Sequence, residues 1–69
     1  MNDISITIKL AALAIEAQAI GFEVNGMQSA NEARKYYNGE PEYTEGSFII
    51  KAFKMREIAE KIKELGRQS

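Results

Sequence analysis

One four-residue stretch, Asn38-Gly39-Glu40-Pro41, constrains this chain more than any other. Asn-Gly favours left-handed or turn geometry, and Pro41 cannot continue a helix. The chain therefore divides into residues 1–38 and 44–69, with no internal repeat and no low-complexity stretch. Both parts read as helical. The fold expected is a single all-α domain over residues 1–69, a long-helix/short-helix antiparallel hairpin. Its helices run from about 4 to 38 and from about 44 to 65, around a turn at 39–43.

The second helix follows from its spacing. Thr44 is a helix cap, with Ser47 as a rival, and Glu45 sits favourably in the first turn. At 100° per residue, Phe48, Ala52, Met55, Ile58, Ala59, Ile62 and Leu65 share one broad stripe. Arg56 with Glu60 and Glu57 with Lys61 have the i,i+4 spacing of ion pairs on the wet side. Gly66 is expected to end the helix. Ile49, Ile50 and Phe53 fall off the main stripe and make a second apolar patch.

The first segment admits two readings at its start. Ile4, Ile6, Ile8 and Leu10 alternate with Ser5, Thr7 and Lys9, which is the period of a strand. The run from Ala11 to Ile20 is strongly helical by propensity, and nothing between Lys9 and Ala14 breaks or caps a helix. One continuous helix from Ile4, capped by Asp3, is preferred. It carries two apolar faces. Ile6, Leu10, Leu13, Ala17, Ile20 and Val24 form one; Ile4, Ile8, Ala11, Ile15 and Phe22 form the other. Gly21, Gly26 and a restart at Ser29 with Glu32 mark places for a kink.

A helix of about 35 residues spans roughly 50 Å and one of about 21 roughly 30 Å. The second helix is thus expected to cover the first only from the turn to about Ala17. Ile4 to Glu16 would overhang as an exposed apolar end, which predicts self-association. Composition points the same way. A 69-residue chain buries only about 60% of its unfolded surface, so it needs a staple. It has no Cys and no His, which excludes disulfides and the common soft-metal sites. No metal and no cofactor are expected. Oligomerisation is the remaining staple, with Ile4, Ile8, Leu10, Leu13, Ile15 and Ile20 as the interface.

The same residue set argues against an enzyme: there is no phosphate-cradling glycine loop and no nucleophile elbow. Glu40, Glu42 and Glu45 read as solvated acids near the turn. A net charge of -1 argues against a general nucleic-acid binder. Lys9, Glu16 and Glu23 within the apolar run argue against a membrane span, and the expected location is cytoplasmic.

The polar cluster at the turn is the candidate site. Asn31, Arg34 and Asn38 share a helix face by their spacing, with Lys35, Tyr36 and Tyr37 beside them and Tyr43 across the turn. Arg and Lys hold phosphate, and Tyr stacks on a base or sugar. Ordinary hairpin-tip packing is the competing explanation. Two other readings stay open. Ile49, Ile50 and Phe53 form a patch able to grip a host protein. Ser5, Thr7 and Lys9 would read DNA if the chain began with the strand of a ribbon-helix-helix repressor.

The stretch Gly26-Met27-Gln28-Ser29-Ala30-Asn31-Glu32-Ala33-Arg34, followed by Pro41-Glu42-Tyr43-Thr44-Glu45 and Phe48, resembles small helical-hairpin proteins encoded by bacteriophages. The likeness covers roughly residues 11 to 62 and rests on a loose G-M-x-x-x-N-x-x-R … P-x-Y-x-E-x-x-F pattern. It implies an accessory or anti-defence factor acting in the host cytoplasm. It would make Asn31, Arg34, Tyr43 and Glu45 the residues to watch. Together these features predict a non-enzymatic homo-oligomer that sequesters a small anionic ligand such as a cyclic nucleotide signal. The alternatives are an inhibitor or adaptor of a host protein and a DNA-binding repressor.

Overall fold

Pro41 is the one proline in the chain, so nothing upstream of it removes a backbone donor. Asp3–Tyr36 accordingly form one uninterrupted helix of 34 residues, α1, in the computed structural model. The model describes residues 3–68; Met1, Asn2, Ser69 and the side chain of Asp3 lie outside the described set, and with them the expected Asp3 cap. Ile4 to Leu10 is helical. The strand alternative is thereby corrected, and a ribbon-helix-helix reading loses its strand. Helical propensity from Lys9 onward simply extends to the first residues. Gly21 and Gly26 stay at negative φ inside α1.

α1 ends two residues before the expected Asn38, in a closed cap. Asn38 takes the left-handed conformation, with φ 59°. Its N–H donates to the Lys35 carbonyl at 3.0 Å, and the Gly39 N–H reaches the Arg34 carbonyl at 2.7 Å. This paired arrangement is a Schellman motif, which satisfies carbonyls that a helix end would otherwise leave open. Gly39 is needed for a different reason. A Cβ there would stand 3.2 Å from the Arg34 carbonyl oxygen.

α2 comprises Glu45–Gln68, 24 residues. The Thr44 carbonyl accepts from Ser47 N–H at 3.0 Å and Phe48 N–H at 3.4 Å, placing Thr44 at the cap position. Gly66 does not end this helix. It keeps helical φ, and Arg67 bridges back to Glu64 at 2.6 Å across the last turn. The ion pairs also differ from expectation. Lys63 pairs with Glu60 at 3.5 Å, while Arg56 lies over the Phe53 ring, 5.7 Å from its centroid. Arg56–Glu60 and Glu57–Lys61 do not form.

The helices pack antiparallel, with a register set by two polar contacts. Asn31 meets Tyr43, and Lys51 Nζ meets Glu23 Oε1 at 2.7 Å. Equal steps along both helices bring Lys9 and Leu13 level with Leu65 and Lys61, which line a shared concavity. Ile6, Ile20, Met27 and Ile58 are buried, and Leu13 and Leu65 half-buried. The contact lines Ile6–Leu13–Ile20–Met27 and Lys51–Ile58–Leu65 repeat every seven residues, the spacing of gently crossing helices.

This register corrects the overhang. Because α2 continues to Gln68, it covers α1 back to Ile6. What stays uncovered is a face rather than an end. Of the two predicted faces of α1, the one through Ile6 and Ile20 meets α2. Ile4, Ile8, Ala11, Ile15 and Phe22 are exposed on the other. The hairpin measures 57 × 17 × 9 Å.

Candidate functional site at the hairpin tip

The tip is where α1, the eight residues 37–44 and the start of α2 meet. Its geometry starts from Asn31. The side-chain amide donates from Nδ2 to the Tyr43 carbonyl at 2.8 Å, and Oδ1 accepts the Tyr43 N–H at 2.9 Å. Asn31 thus pairs with the loop as one strand residue pairs with another. This use of Asn31 as a clamp was not legible in its spacing. Its amide is committed to the main chain and shapes the tip.

The other predicted site residues divide between two concavities. Arg34 and Tyr37 line an open one of about 320 Å³ with Ala30, Ala33, Gly39 and Glu42. Tyr36 stands edge-on to Tyr37, their ring centroids 5.3 Å apart and their planes at 76°. Both rings are more than four-fifths exposed. Lys35 joins Arg34 in the last turn of α1. Cations there complement the partial negative charge of a helix C-terminus. Neither Arg34 nor Lys35 forms an ion pair among the described residues. Asn38 serves the turn itself. Tyr43 is half-buried and belongs to the second concavity, about 280 Å³, with Glu23, Met27, Ser47, Ile50 and Lys51.

Glu23, in that second concavity, has a perturbed carboxyl. The Lys51 ammonium hydrogen-bonded to Glu23 holds its carboxyl below the usual glutamate range. Lys51 was missing from the predicted face of α2. Its stem runs along the interhelix contact and its head reaches Glu23, the habit of long cationic side chains at an apolar border. Only the register, not the composition, could have pointed to it.

Among the described residues, no group of acidic, His or Cys side chains could hold a metal ion. By length and composition, α1 can cross a membrane: it holds an 18-residue window of mean hydropathy 1.5. The fold and tip together define a two-helix antiparallel hairpin whose open end carries aromatic, cationic and acidic side chains. No known protein-family model matches the chain, and no curated protein or solved structure is similar to it.

Proposed function

We propose that this chain is a non-catalytic binding protein, working as a homo-oligomer, that holds a small anionic ligand such as a nucleotide or cyclic nucleotide signal at its hairpin tip. The observation that supports this reading is the closeness of two cations that form no ion pair among the described residues, Arg34 and Lys35, to two exposed rings, Tyr36 and Tyr37. A guanidinium offers a planar fork to phosphate oxygens, and a phenol ring offers a face to a base. The resemblance to small phage proteins gives such a binder a role, the removal of a host defence signal. Lys9, Glu16 and Glu23 would be costly inside a bilayer, which favours a cytoplasmic location. Calorimetric titration with cyclic AMP and cyclic di-GMP tests the site. Arg34→Ala should weaken binding about tenfold or more, with the mass of the assembly unchanged. Equal affinity in the variant would refute this assignment.

A second reading has its own observation. Ile49, Ile50 and Phe53 are about half exposed on α2, with Ile50 at the edge of the interhelix concavity. Such a cluster suits a protein partner. Specific binding of one host protein, abolished by Phe53→Asp, would favour an inhibitor or adaptor over a ligand sponge.

A further inference from the structure

The uncovered face of α1 has a finer order than exposure alone. Ile4, Ile8, Ala11, Ile15, Gln18 and Phe22 follow one another at alternating steps of four and three. That is the spacing of a coiled-coil seam, and it lies opposite the line through Ile6, Leu13 and Ile20 that meets α2. Ile4, Ile8, Ile15 and Phe22 are 71, 63, 67 and 69% exposed. Ser5, Ala12 and Ala19 border the seam on one side, and Thr7, Ala14 and Gly21 on the other. Small residues on both borders let a second helix approach closely.

We infer that this seam pairs with the same seam of a second copy, antiparallel, about a two-fold axis near its midpoint. This rests on the reading of the chain as a homo-oligomer and says how the oligomer is built. Two observations choose a second copy in this orientation. The first is area. Covering the seam and its alanine borders on both copies removes on the order of 1,000 Å² from water, the threshold for a specific interface. The second is self-complementarity. Antiparallel pairing sets Ile4 against the partner's Phe22 at the ends and Ala11 against the partner's Ile15, small beside large, near the axis, and ends where the apolar residues end. Parallel pairing would carry the seam on through Asn25, Ser29 and Glu32, setting each Glu32 against its own copy. In this dimer the two tips point to opposite ends, so each holds its ligand independently.

The test uses the full chain without ligand, so a failed dimer and a failed tip site are separate results. Sedimentation equilibrium should give twice the 7.7 kDa chain mass. Ile15→Glu should raise the dimer Kd about tenfold or more. Ile15 is exposed in the hairpin, so folding is not at stake. Orientation is read by cross-linking, since the chain has no cysteine. On oxidation, an equal mixture of Ile8→Cys and Gln18→Cys should link between the two variants, because Ile8 faces the partner's Gln18. A monomeric wild type, or each cysteine variant linking to itself, would overturn the proposal. So would a dimer that survives Ile15→Glu but dissociates on Met55→Glu, which lies on another side of the hairpin.

Discussion

Asn31 uses its side chain as if it were a piece of main chain. Both hydrogen-bonding ends of the amide meet the two polar groups of one loop residue, Tyr43. Removing the amide leaves two part-buried backbone groups to find water. Asn31→Ala should therefore lower stability by about 1–3 kcal/mol, read as a lower urea midpoint at unchanged slope. The sequence spacing put Asn31, Arg34 and Asn38 on one helix face, but α1 ends at Tyr36 and Asn38 turns left-handed beyond it. Nor could the spacing show that the Asn31 amide is consumed by the Tyr43 backbone, because that contact depends on where the loop returns. Glu23 makes a testable contribution of another kind. Its folded-state pKa is depressed by Lys51. The stabilisation is fully present above the ordinary glutamate value near 4.3 and is lost as pH falls through the lowered value. A melting difference between wild type and Glu23→Gln should be present at pH 7 and vanish in strong acid. Glu23 is about half exposed, so the difference will be small.

At the scale of elements, both helices were legible, and their ends less so. Propensity carried α1 through Ile4–Leu10 against a period-two pattern, because the alternating isoleucines cost a helix little when one face packs and the other stands free. Gly66 was read as a stop signal, yet a glycine ends a helix only where the chain turns left-handed. Here the helix continues past it, with a Glu64–Arg67 bridge in its last turn. Gly26 follows the same logic inside α1. A Cβ there meets nothing within 4 Å, and its φ is not positive. Gly26→Ala should raise stability by about 1 kcal/mol, seen as an increase in Tm measured by circular dichroism at fixed protein concentration. A decrease would mean that the position is closed by another chain.

For the molecule as a whole, the sequence overstated the exposed end and understated the exposed side. The expected register set Asn38 level with Thr44, whereas Asn31 meets Tyr43; that shift, more than the residues gained by α2, erased most of the overhang. The two apolar faces of α1 were correctly separated, but which would meet α2 depended on the Asn31–Tyr43 and Glu23–Lys51 contacts. The candidate site was legible as a cluster, not as an arrangement: Arg34 and Tyr37 share a concavity that Tyr43 does not. The turn that joins the helices also sets how the protein ages. In an Asn-Gly pair the glycine nitrogen attacks the asparagine side-chain carbonyl, releases ammonia, and leaves a cyclic imide that opens to an acidic residue. Here the Gly39 N–H is tied to the Arg34 carbonyl at 2.7 Å, with Asn38 locked left-handed. The folded turn withholds its nucleophile, so chemical decay at Asn38 tracks the time the hairpin tip spends open.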